Sequence, residues 1–201
     1  MRAAWLTMVA LCACEPALPE GWPPVKSPLG VDGGADAGLG YVTVVADGGG
    51  FRALIDSTDV ARWVAVDLDA PAEVPFEGDG WDLAFQRFHV RARGGASGDG
   101  GVAITFTDAG YSPVGQSPPG PWLVDLADGD DENADLDTVL DKEAVWYEYE
   151  PRFHTLSPRA LTYVVRTDRG GYVKLKFDGY YDRSGTPGWF ALRFAPVLPP
   201  P

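Results

Sequence analysis

Two histidines lie in the stretch that reads as folded, His89 and His154. A neutral imidazole can ligate a metal, move a proton near neutral pH or orient a nucleophile. Neither belongs to an HExxH pair, and the chain has no GxSxG turn and no glycine-rich phosphate loop before a helix. Ser157 follows His154 by three positions, but nearness in sequence is not the geometry a catalytic triad requires. The expectation is a protein that is not an enzyme. His89 sits in Trp81-Asp82-Leu83-Ala84-Phe85-Gln86-Arg87-Phe88-His89-Val90-Arg91-Ala92-Arg93. As one regular strand, a single face reads Trp81, Leu83, Phe85, Arg87, His89, Arg91, Arg93, apolar at one end and basic at the other. That face would suit a flat apolar molecule with carboxylates at one edge. In the other arrangement, a bulge near Gln86 turns Phe88 and Val90 inward and leaves His89 outside. The apolar character of Phe88 and Val90 favours the bulge.

The only cysteines are Cys12 and Cys14. Two thiols two residues apart build neither a disulfide framework nor a cysteine-based zinc site. Their surroundings read as an export segment. Met1-Arg2 is a short basic start, Ala3 to Leu11 is apolar, and Leu11-Cys12-Ala13-Cys14 has the lipobox pattern: Leu, two small residues, then the cysteine that takes the lipid. The expected mature chain begins at lipidated Cys14 after a signal peptide of residues 1–13. It is held to the membrane by acyl chains alone. Both methionines, Met1 and Met8, fall in the removed segment.

Residues 14–40 are rich in Pro, then in Gly, Ala and Asp, and hold too few large apolar residues to pack, which predicts a flexible tether. From 41 to 198 short β-prone runs alternate with turn clusters: 41–46, 51–55, 62–68, 81–93, 102–107, 162–167, 172–177 and 189–194. This predicts an all-β, antiparallel domain. In the clearest hairpin, Tyr163–Thr167 runs through Asp168-Arg169-Gly170-Gly171 into Tyr172–Phe177, with Val173, Leu175 and Phe177 on one face. In the last strand Phe190, Leu192 and Phe194 point inward, and Trp189 and Arg193 outward.

The chain carries 29 acidic and 16 basic residues, a net charge of −13. Such a surface repels nucleic acid and anionic lipid. Residues 125–150 hold eleven of the acids and one Lys. Within this block Leu136, Val139, Leu140 and Ala144 fall at helical spacing, predicting at most one short helix between Asp135 and Trp146. An EF-hand starting at Asp128 fails, because position 6 is Asn133 where Gly is required. The block therefore reads as a solvated acidic loop and helix.

Several ordered motifs resemble the HmuY family of bacterial haem-binding lipoproteins. They are Trp81-Asp82-Leu83-Ala84-Phe85 with Arg87 and Gly94-Gly95; Trp146-Tyr147-Glu148-Tyr149; His154-Thr155-Leu156-Ser157-Pro158; and Tyr163–Thr167 through Gly171–Lys176, closed by Tyr180-Tyr181 and the final strand. The resemblance implies a HmuY-like β domain whose strands close like fingers on haem. It implies a lipoprotein at the outer membrane or cell surface of a diderm bacterium, scavenging haem or a related porphyrin and passing it to a TonB-dependent outer-membrane receptor. It puts His154 forward as an axial ligand of the haem iron, with His89 as a second candidate, and Arg87, Arg91 and Arg93 as partners of the propionates. Between Val102 and Trp146, where a facing ligand would be sought, no histidine occurs; Tyr111, Trp122 and acidic residues stand there. A different ligand on the same fold, a glycan or a partner protein, is the alternative, with Trp122 beside Pro118-Pro119-Gly120-Pro121 as its platform.

Overall fold

The computed structural model describes residues 40–127 and 136–201. The signal segment, Cys14, the tether up to Gly40 and the centre of the acidic block lie outside the described residues. Twelve strands form: β1 Val42–Asp47, β2 Gly50–Asp56, β3 Val64–Asp67, β4 Ala72–Val74, β5 Leu83–Gln86, β6 His89–Ala92, β7 Ala103–Thr107, β8 Tyr147–Glu150, β9 Thr155–Pro158, β10 Thr162–Arg166, β11 Tyr172–Tyr181 and β12 Pro187–Pro196. They make a six-stranded sheet in the order β1-β2-β12-β11-β10-β7, a four-stranded sheet β4-β3-β5-β6 and a separate β8-β9 hairpin. All strand pairs are antiparallel. The expected all-β class holds.

Period-two alternation builds the large sheet. Val173, Leu175 and Phe177 of β11 are buried, as are Phe190, Leu192 and Phe194 of β12. The register sets Leu175 opposite both Tyr163 and Phe194, and Ile55 opposite Phe190. Val64, Val66, Leu83, Phe85, Val90 and Ala92 of the small sheet join the same apolar cluster. Each of the Val, Leu and Phe side chains among them, fully buried, contributes about 1.5–3 kcal/mol. Trp189 departs from expectation. It is 8% exposed, packed with Leu54 and Ala191 on the other face of the sheet, because β2 supplies an apolar neighbour there.

Two further expectations are corrected. The run Trp81–Arg93 is two strands, joined by a tight turn at Arg87-Phe88 that pairs Gln86 with His89. Arg87 has φ of +53°, so the chain reverses where a single extended strand was one of the readings. The turn achieves what a bulge would have done, burying Val90 and leaving His89 partly exposed. The helix between Asp135 and Trp146 is absent from the described part. Residues 139–143 form turns, with Lys142 N–H donating to the Thr138 carbonyl but Ala144 N–H to Val139 and Trp146 N–H to Leu140, so the coil widens out of helical register. That widening lets Trp146 enter the core, where it is fully buried against Phe177, Phe190 and Tyr180. Nor is the acidic block uniformly solvated. Asp125 is 1% exposed and accepts N–H bonds from Ala92 and Val139 and the hydroxyl of Ser97.

Candidate ligand-binding site

Three hairpin ends converge on one cavity of about 620 Å³. The β5–β6 turn contributes Arg87 and Phe88. The β8–β9 hairpin contributes Tyr147, Tyr149, Phe153, His154, Thr155 and Leu156. Tyr180 and Tyr181 come from the end of β11 and Pro187 from the start of β12.

Local backbone irregularities aim these side chains. In β11 the alternation breaks at Gly179, where the register with β12 shifts. The extra residue puts Tyr180, at an even position, inside after three odd-numbered buried residues, and leaves Tyr181 half-buried at the cavity. His154 closes the four-residue turn 151–154 with φ of +53°. Among the described residues only Arg87 and His154 are non-glycine residues in this left-handed region, and both line the same cavity. Side chains other than glycine adopt it at a cost of roughly 1–2 kcal/mol. Strain of this kind clusters at functional sites.

The walls are cross-braced. Trp146 Nε1–H donates to the Phe88 carbonyl at 2.9 Å, fastening the β5–β6 turn to the core. Leu156 N–H donates to the Tyr181 hydroxyl oxygen at 2.8 Å, tying β9 to β11. Burial pushes the Tyr180 phenol up to about 12 against the opposing pull of nearby Arg87, so this wall is neutral at physiological pH. Arg87 Nη1 donates to the Thr58 carbonyl at 3.2 Å, one use among five guanidinium donors. At the rim, His154 Nδ1 is hydrogen-bonded to the Tyr149 hydroxyl, and Tyr149 and Phe153 are 50% and 66% exposed. The result is an aromatic slot with one imidazole and one guanidinium. It can take a flat apolar molecule, offer one nitrogen to a metal centre and meet a carboxylate.

The other sequence candidates lie elsewhere. His89 faces a smaller cavity of about 270 Å³ with Trp63, Gln86, Arg91, Thr138 and Asp141, and its Nδ1 is 3.0 Å from Asp141 Oδ2. Arg91 stacks over the Trp63 ring at 4.2 Å. Arg93 is almost buried between Asp79, Asp99 and Asp168. Of the basic residues proposed around a ligand, Arg87 alone shares a cavity with His154. Trp122 packs against Tyr172 with Arg166 over its ring. The cavity's aromatic residues Phe88, Tyr147, Tyr149, Phe153, Tyr180 and Tyr181 had no role in the sequence reading; for the β8–β9 hairpin the Tyr-Glu-Tyr-Glu alternation of β8 was the one local signal.

An open aromatic cavity between hairpin ends thus belongs to an all-β domain of antiparallel sheets. The chain belongs to the HmuY family, whose model, described as HmuY protein, matches residues 59–194. Solved structures share the fold. One, from Bacteroides vulgatus and described as a HmuY-like haem-binding protein, is 19% identical, with a TM-score of 0.55, covering 73% of this chain and 91% of its own. The apo form of a HmuY analogue from Tannerella forsythia is 16% identical, with a TM-score of 0.54, covering 72% and 94%. A Bacteroides fragilis protein described as a lipoprotein is 18% identical, with a TM-score of 0.54, covering 73% and 88%. No curated protein matches the chain.

Proposed function

We propose that this protein is a surface-anchored haem-binding protein that scavenges haem, or a related iron porphyrin, for uptake. The observation that carries the reading is the coincidence of Arg87 and His154, the two strained non-glycine residues, at one aromatic cavity. The donor set fits the ligand. Imidazole is a natural axial ligand of haem iron, Phe88, Tyr147 and Tyr180 offer aromatic walls to the macrocycle, and Arg87 can pair with a propionate. Haem supplies the iron; the chain's part is to seat the ring, present His154 and restrict water. The domain of residues 41–198 would hang from lipidated Cys14 by the 14–40 tether, after loss of residues 1–13. Held at the outer membrane, it would hand its cargo to a TonB-dependent receptor. The binding-protein character of the family supports a role without catalysis.

Hemin titration of the purified protein, followed at the Soret band, tests this. Saturation at one equivalent is expected, with about tenfold or greater weakening in His154→Ala and a smaller loss in Arg87→Ala. His89→Ala is expected to leave affinity within about twofold of wild type. Absence of saturable binding, or full affinity in His154→Ala, overturns the reading.

A further inference from the structure

We infer that Tyr149 is the positioning residue of this site, setting which nitrogen of His154 faces the ligand and how strongly it donates. The inference rests on the haem-binding reading and extends it to a residue outside the ligand set. His154 Nδ1 is engaged by the Tyr149 hydroxyl, while Nε2 has no hydrogen bond among the described residues. A neutral imidazole carries one proton. For Nε2 to offer its lone pair to iron, Nδ1 must hold that proton and donate it to the phenol oxygen. The Tyr149–His154 bond therefore holds the ring rotamer with Nε2 turned outward, and its phenol oxygen is there to accept from Nδ1–H once Nε2 faces iron.

The hairpin makes the pairing local. Tyr149 lies in β8, opposite Leu156 of β9, and His154 ends the turn between these strands. The left-handed backbone at His154 swings its ring back over β8, and the two ring centroids stand 6.0 Å apart. A hydrogen-bond acceptor on the distal nitrogen of a metal-bound histidine raises ligand basicity, and its loss typically weakens metal binding about 10–100-fold. Both residues are exposed at the rim, so the lower end of that range applies here. A more basic imidazole stabilises ferric over ferrous iron, so the acceptor also sets the reduction potential.

Two substitutions separate positioning from mere support. Tyr149→Phe keeps the ring and removes the acceptor. Tyr149→Glu restores an acceptor, and a stronger one. With hemin bound, the account expects Tyr149→Phe to weaken ferric binding about tenfold and to raise the midpoint potential. Tyr149→Glu is expected to keep near-wild-type affinity and to lower the potential. Shifts in the same direction for both variants, or no shift in either, overturn the inference while leaving haem binding by His154 intact. A tyrosinate charge-transfer band in the wild-type complex that disappears in Tyr149→Phe also overturns it, since Tyr149 would then be the ligand itself. In the free protein, ¹⁵N imidazole NMR gives a ligand-independent arm. The phenol bond at Nδ1 is expected to bias the His154 tautomer ratio, so that the ratio shifts in Tyr149→Phe; an unchanged ratio counts against the inference even if hemin does not bind.

Discussion

At His154 the needs of the backbone and of the site oppose each other. A glycine would sit in the left-handed region without strain, yet this position holds an imidazole. His154→Gly is expected to leave stability unchanged or raise it by up to about 1 kcal/mol in urea denaturation, while removing the proposed iron ligand. A large loss of stability would mean that the histidine is structural. The same conflict exists at Arg87, whose backbone N–H donates to the Ser57 carbonyl at 2.8 Å and whose carbonyl accepts the Ser57 hydroxyl at 2.8 Å. Its position at a turn could not be read from composition, because Arg-Phe is not a turn pair as Asn-Gly is. His154 entered through the family resemblance, and Tyr149 was quoted there without a role. Nothing local distinguishes a tyrosine that touches a histidine across a hairpin end from one that does not.

At the scale of elements, legibility followed burial. Val173, Leu175 and Phe177 alternate with half-exposed residues on a strand packed on one face, so the β10–β11 hairpin was plain in the sequence. The β8–β9 hairpin is half-exposed on both strands and borders the acidic block, so it offers no apolar run. Leu136, Val139, Leu140 and Ala144 do have helical spacing, but tertiary packing overrides it: Asp125 Oδ1 fixes the Val139 N–H at 2.9 Å, and Trp146 must reach the core. Trp146→Phe, which keeps an aromatic ring but loses the bond to the Phe88 carbonyl, is expected to cost about 2 kcal/mol in urea denaturation and to loosen hemin binding through the β5–β6 turn. Unchanged values would mean that the turn is held independently of this bond. Gly94 marks a close crossing of chains, where an added Cβ would lie 1.9 Å from the Val102 carbonyl oxygen. Gly94→Ala is therefore expected to lose at least about 3 kcal/mol, read as the urea midpoint; an unchanged midpoint would show that the crossing relaxes freely.

At the scale of the whole molecule, one buried carboxyl joins the two sheets. Asp82 is fully buried, and its two oxygens accept N–H bonds from Leu68, just after β3, at 2.7 Å and from Asp168, in the β10–β11 turn, at 2.8 Å. Burial, with repulsion from Asp168 and Asp69, outweighs these bonds and pushes its pKa from 3.8 up to about 7. A carboxyl raised on folding contributes stability that is fully present below about pH 4 and is lost as pH climbs through about 7. Asp82→Asn removes that titration but leaves one N–H facing an amide donor. The stability of wild type relative to Asp82→Asn is thus expected to fall between pH 4 and 8, by on the order of 4 kcal/mol at about 1.4 kcal/mol per pKa unit. Parallel pH curves for the two proteins would contradict it.

The central claim, that His154 at the aromatic cavity holds the iron, is tested most directly by pulsed EPR of the ferric hemin complex formed with ¹⁵N-histidine-labelled protein. The chain has two histidines in all. The account predicts one strongly coupled histidine nitrogen, retained in His89→Ala and lost in His154→Gly. A coupling that survives in His154→Gly, or none in the wild type, would contradict it.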